Sequence, residues 1–445
     1  MPFHFALPTT SSVLLSSFVE SATHPSLPLA ATTKRSVLKD ALKRHKRLAP
    51  RDTTAHLPIV QDAVFNYAPY LLALYSASGL RDVGTERIDL DVRRPLEVEW
   101  RSTLSATLPG REPPRPKLIG LHHEVAFVLS TLAYSHSLLA RSQLRMLHDA
   151  TMMSNEQRTG AITAAMKHLL EAHSIHKYLL GLPSISASKD VPPDIQPSTI
   201  SALAALALAE ATLLVVSKDD PYAAVVSDDR NESNRDWMFK APSIPKVRAH
   251  LYARLCLAAA EHAGQAQGLL GPGKIDADLV KYVADLRRAA RGKAARFLAI
   301  DAELTGKTGE GLAWLQGARR ELGLASELKD GQRKGFKGLK QSWQERREDK
   351  RLEKGGEWGM DGGKLEEARV VEMLEAKWDK ENSTINTQLV PPWEPLLANP
   401  SETVFRGDEE DSSGEEYGGS TNEPVGAFPG TSHDYGRRGT SNSYY

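Results

Sequence analysis

The chain of 445 residues contains one cysteine, Cys256. That excludes a disulfide framework and a cysteine-based zinc site, and it suits a reducing compartment. Charge of a single sign is also missing, since 56 Lys and Arg stand against 56 Asp and Glu for a formal net charge of +0. No chain-wide field would gather nucleic acid, so no nucleic-acid partner is expected, and any contact with an anionic membrane has to be local. The start Met1-Pro2-Phe3-His4-Phe5-Ala6 lacks a basic run, and Val13-Leu14-Leu15 is too short for the core of an export signal, so the expected location is the cytoplasm. One long apolar run exists, from Ile200 to Val216. It is short for a membrane span, rich in Ala and interrupted by Glu210, which fits a helix packed on both sides.

Catalytic constellations are missing too. Gly306-Lys307-Thr308 has the end of a phosphate-binding loop, but that loop needs a glycine five residues earlier, where this chain has Asp301. His122-His123-Glu124 and the set His168, Glu171, His173, His176 are the best candidates for metal or proton chemistry. Neither has the His-Glu-x-x-His spacing of a zinc hydrolase nor the Glu-x-x-His of a di-iron bundle, and they read as ordinary hydrogen-bonded histidines. Cys256 sits in Leu255-Cys256-Leu257, an apolar setting in which a thiol is inert. No enzyme, metal or cofactor is expected. The basic run Lys334 to Lys340 reads as a solvated loop, with contact to acidic lipid or a partner as the alternative.

What the chain does have is helical periodicity. Met1 to about Ala31, rich in Ser, Thr and Pro, reads as an extended arm on a surface. Lys34 to Ala77 reads as a helical hairpin carrying Val37, Leu38, Ala41 and Leu42, then Ile59, Ala63, Val64, Tyr67, Leu71 and Leu72. From Arg87 to Leu104 the period falls to two, which predicts two short strands joined through Arg93-Arg94-Pro95, followed by a rigid proline-rich link from Pro109 to Pro116. From Leu118 to about Leu324 the helical pattern hardly stops, with one helix capped by Ser198 or Thr199 and another carrying Val247, Leu251, Leu255 and Ala258 on one face. Long helices without a repeat of fixed length predict an all-α, antiparallel solenoid-type stack. Lys364 to Lys380 is a further helix. Val390-Pro391-Pro392-Trp393-Glu394-Pro395-Leu396-Leu397 reads as an extended return strand, with Trp393 a buried structural residue. A helical domain over 1–400 and a disordered acidic, Gly- and Ser-rich tail over 401–445 complete the expected organisation.

Three strings resemble the BRO-one domain family. Leu121 to Ser135 looks like the family helix in which an acidic residue precedes small residues ending in Tyr-Ser. Leu206-Ala207-Leu208-Ala209-Glu210 is similar to the Leu-Ala-Gln-Ala-Gln helix of ALIX-type domains. Lys307 to Leu315 resembles the family's Gly-Glu signature. Within the family, Met1-Pro2-Phe3, Leu7-Pro8-Thr9-Thr10, Thr23 to Leu29, Pro109 to Arg115 and Val390 to Leu397 resemble its fungal ambient-pH branch. The resemblance implies a TPR-like, boomerang-shaped domain whose concave side binds the C-terminal amphipathic helix of the ESCRT-III filament subunit. It also implies other ambient-pH signalling components as partners, a role upstream of proteolytic activation of the PacC transcription factor, and peripheral recruitment to endosomal or plasma-membrane ESCRT sites. No V-shaped coiled domain or long proline-rich end is present, so any function of the tail is left open. The family's apolar patch carries over onto Leu213, Leu251 and Leu255. The last two are four apart on one helical face, and the same spacing also suits ordinary core leucines. A curved scaffold binding membrane lipid, or another helical partner, is the alternative reading.

Overall fold

Proline sets the first two helices. Pro28 lies in the opening turn of α1 (Leu27–Arg47) and Pro50 opens α2 (Pro50–Ser78), positions where a missing amide proton costs nothing. The computed structural model describes residues 2–79, 83, 87–106, 112–149, 154–183, 191–222, 246–271, 273–324 and 358–398. The basic run Lys334–Lys340, the first three residues of the proline-rich string from Pro109 and the expected tail lie outside them.

Helices α3 (Leu121–Asp149), α4 (Asn155–Leu180), α5 (Pro197–Asp219), α6 (Lys246–Leu269), α7 (Ala277–Leu304), α8 (Thr308–Glu321) and α9 (Lys364–Glu381) follow, with a short α10 (Glu394–Ala398). Each helix from α1 to α9 packs on its neighbours in sequence, and α9 also reaches α7, so the packing is unbroken along a stack. Ser154 caps α4 in a reciprocal capping box with Gln157. At α5 the expected cap is corrected. Pro197 moves the start forward, Gln196 takes the capping position, and neither Ser198 nor Thr199 caps the helix.

α5 is long and apolar enough to cross a membrane by length and composition alone. Most of that stretch is buried, and α4 and α6 pack on it. Both flanking contacts are with helices, which explains why its apolar residues surround the axis rather than form one stripe.

Two expectations change at the N-terminus. The chain enters its first long helix at Leu27, and the preceding arm is part of the core: Phe3, Phe5 and Leu7 are buried. Phe5 stacks on Tyr134 with ring centres 4.8 Å apart, and Phe3 lies 5.3 Å from Tyr282. Their aromatic area has more to gain among the helices than on a surface. Both strands read from the 87–104 region exist, but they do not pair with each other. β2 (Asp91–Val92) pairs antiparallel with β1 (Val19–Glu20), and β3 (Glu97–Glu99) with β4 (Lys117–Ile119).

Buried charges tie this end together. Glu124 of α3 accepts Arg35 Nε of α1 at 2.8 Å, Trp100 Nε1 at 2.7 Å and Tyr67 Oη of α2 at 3.2 Å, while Arg35 also donates to Thr10 Oγ1 at 2.7 Å. Every lone pair of that carboxylate faces a donor, the condition under which a buried charge is tolerated.

Candidate docking face on α5 and α6

The geometry of this face starts with a charge cluster beneath it. Asp220, just beyond α5, accepts Arg296 NH2 of α7 at 2.6 Å, and Arg296 Nε donates to Glu367 Oε1 of α9 at 2.5 Å. Lys293 Nζ stands 3.3 Å from both carboxylates. Burial alone would raise the Asp220 carboxyl; Arg296 and Lys293 outweigh it and hold it well below the usual range. The end of α5 is thereby fixed to α7 and α9.

α6 is fixed through the residues on either side of Leu251. His250 Nε2 lies 2.8 Å from Asp301 Oδ2 of α7. Tyr252 donates to Asp219 Oδ2 at 3.1 Å, with its ring 5.2 Å from that of Phe297. With both neighbours directed inward, Leu251 faces solvent and is 50% exposed. Leu255, one turn on, is half-buried, as is Leu213 of α5. Both pack on the rim of one buried cluster that contains Val216, Tyr252, Cys256 and Phe297. None of the three leucines is fully buried. Arg248 and Arg254 are exposed on the same helix.

The remaining candidates separate. His168 pairs with His136 of α3, Nδ1 to Nδ1 at 3.0 Å, and burial pulls the His136 ring down to about 4. His173 meets the Ala204 carbonyl at 2.8 Å, and His176 is buried, its ring pulled down to about 3. Among the described residues no group of three or more His, Cys, Asp or Glu is arranged to hold a metal. Cys256 is buried and its thiol is pushed up to about 12 by that burial. Gly306-Lys307-Thr308 is the turn between α7 and α8, latched by Gln388 Nε2 on Gly306 O and by Asn386 Nδ2 on Thr308 Oγ1.

Trp393 is half-buried at the start of α10 rather than sealed in an extended strand, because Glu394–Ala398 turns helical and directs Leu396 and Leu397 to the core rim. Its truncation would therefore cost less than the roughly 3–5 kcal/mol of a fully packed aromatic. Sequence reading missed the Arg296 cluster. A lone arginine within Ala294-Ala295-Arg296-Phe297-Leu298 was the available signal, since a buried cation requires buried acids.

No family model matches the chain. Among solved structures it is similar to ALIX BRO1 in its complex with CHMP4C, with a TM-score of 0.50 and 17% identity over 88% of this chain and 90% of that one. It is also similar to ALIX in complex with the SIVmac239 PYKEVTEDL late domain, with a TM-score of 0.53 and 14% identity over 88% of this chain and 46% of that one. The fold is thus that of a BRO1 domain. The pH-response regulator protein palC of Emericella nidulans is 44% identical over 440 residues, 90% of this chain and 86% of that protein. The chain belongs to the palC family of pH-response regulators.

Proposed function

We propose that this protein is a non-catalytic adaptor that docks a helical peptide on the face formed by Leu213, Leu251 and Leu255. The occupant is the C-terminal amphipathic helix of the ESCRT-III filament subunit. Docking serves ambient-pH signalling that leads to proteolytic activation of the PacC transcription factor, with the protein recruited from the cytoplasm to membrane-associated ESCRT sites. The observation that carries this reading is Leu251, a large apolar side chain held half in water by two anchored neighbours. An apolar residue held rigid at the surface is a ready anchor for the apolar stripe of an amphipathic helix. The solved ALIX BRO1 complex with CHMP4C lends support by its fold.

Leu251→Asp is the direct test, because the exposed position accepts a charge that half-buried Leu255 would not. The melting temperature is expected to stay within a degree or two. Affinity for the C-terminal peptide of the filament subunit is expected to fall at least tenfold, since truncating or charging a binding anchor costs about 1–3 kcal/mol or more. Unchanged affinity with an unchanged melt would remove the docking face.

A second reading has one observation in its favour. The last turn of α1 carries Arg44, Lys46 and Arg47, all exposed, with Leu29 and Val37 exposed further back on the helix. That arrangement suits local contact with an anionic bilayer. Salt-sensitive sedimentation with phosphatidylserine vesicles, in the absence of any protein partner, would support it.

A further inference from the structure

Glu210 lies inside α5 and is buried. Its Oε1 accepts two hydrogen bonds, from Tyr282 Oη of α7 at 2.6 Å and from the backbone N–H of Phe3 at 3.0 Å. The second bond holds the first residues of the chain against α3, α5 and α7. Arg141 of α3 adds an anchor of a different kind, donating from NH1 to the Pro2 carbonyl at 2.7 Å and from NH2 to the Trp358 carbonyl.

Four other buried carboxylates have a guanidinium or a set of neutral donors matched to both oxygens. Glu124 meets Arg35, Asp220 and Glu367 meet Arg296, and Asp194 receives Leu104 N–H and Ser105 Oγ on separate oxygens. Among the described residues Glu210 has no ion pair and its two hydrogen bonds both fall on Oε1, while the amino terminus and Arg141 act on it only as nearby cations. A carboxylate in that position is under-compensated, so its neutral form suits the docked arm and its ionised form suits water.

We propose that Pro2 to Ala6 are a detachable segment of the fold whose departure admits water to Glu210, held by the protonated Glu210 side chain and progressively released as pH rises through neutrality. The hinge is Leu7-Pro8. Beyond it the chain is held by groups that do not titrate near neutrality: Arg101 donates to the Leu7 and Thr9 carbonyls, and Thr10 donates to the Glu99 carbonyl.

The charged surroundings oppose burial, and burial outweighs them. Burial raises the Glu210 carboxyl to about 7, against the lowering effects of Tyr282, the amino terminus, Phe3 N–H and Arg141. The Tyr282 hydroxyl is raised far above its ordinary value and stays protonated, and Asp361 acts on it in the same direction as Glu210. Arg141, lowered to about 10 by burial with Arg145 contributing, keeps its charge. On the arm itself, burial and the nearby Arg141 and Arg145 lower His4, so it is neutral above its usual range and loosens the arm only on the acid side. His176 of α4, whose ring faces Tyr134 beneath Phe5, is neutral throughout. A carboxyl raised when docked contributes its stabilisation at low pH and loses it as pH climbs from its free value towards about 7.

Amide hydrogen exchange on the full chain, corrected for the intrinsic pH dependence, tests this. With a free value of 4.5 and a docked value of about 7, opening of residues 2–6 is expected to increase about tenfold between pH 6 and pH 8. Residues 9–12 and the amides of α2 serve as internal references and are expected to stay level. Glu210→Gln keeps an oxygen acceptor for both donors and removes the charge, so its arm is expected to show no pH slope and to stay protected at pH 8. A level wild-type arm, a slope shared with α2, or the same slope in Glu210→Gln would each overturn the proposal.

Discussion

At the scale of single residues, this fold is organised by a few buried charges, and Arg296 is the one with the largest consequence. It is completely enclosed and neutralises Asp220 and Glu367 together. Arg296→Met leaves Lys293 as the remaining cation beside the pair, and the loss is expected to be about 3–5 kcal/mol, seen as a lower urea midpoint. The pH dependence follows from the sign of the shift. Asp220 is held below its free value of 3.8, so its contribution is complete above that pH and is lost as pH falls towards the folded value. Wild-type melting temperature should drop below about pH 4, and Arg296→Met should show a shallower acid limb. Parallel limbs would mean that the cluster does not govern acid stability. The charged residues inside apolar runs were visible in the sequence, and Glu210 was enough to argue against a membrane span. Their partners were not visible, because Arg35 and Glu124, or Arg296 and Glu367, are brought together only by the packing of separate helices.

At the scale of elements, the long helices were legible because a three-and-four spacing sustained over twenty residues has few other solutions. The strands were legible as strands and not as pairs. Two or three residues of alternation do not specify a partner, and β2 finds Val19 and Glu20 some seventy positions earlier. The Gly309-Glu310-Gly311 string has a packing reason. A Cβ on Gly309 would sit 2.4 Å from the Leu389 carbonyl oxygen, and one on Gly311 would sit 3.1 Å from the Ala299 carbonyl oxygen. The helix start is pressed between α7 and the returning chain. Gly309→Ala is therefore expected to displace the segment around Gln388, at about 1–3 kcal/mol, with faster amide exchange confined to residues 386–398. Undisturbed exchange there would show that the return segment tolerates a methyl group.

At the scale of the whole molecule, the proposed docking face was only half legible. Leu251 and Leu255 share a helical face in any reading, but the same spacing describes core leucines, and only the tying of His250 and Tyr252 to other helices decides that Leu251 is the one in water. The histidines show the converse. They cluster along the sequence of α4 and are dispersed by the fold to three different neighbours. Beyond Arg406 the chain is acidic and then rich in Gly, Ser and Tyr, a composition with too little apolar area to build a core. Removing Asp408 to Tyr445 is expected to leave both the melting temperature and peptide binding unchanged. A fall in either would assign those residues a place on the domain.

The burial of Phe3 against Tyr282 also bears on how the molecule is made. A stack whose helices touch only their sequence neighbours can assemble on the ribosome turn by turn, each helix settling as it emerges. Here Phe3 has no complete seat until α7 follows, some 280 residues later. At about 5–20 residues per second that is a delay of roughly 15–60 s. Throughout it Phe3 is available to chaperones. The seating of Phe3 therefore waits for α7.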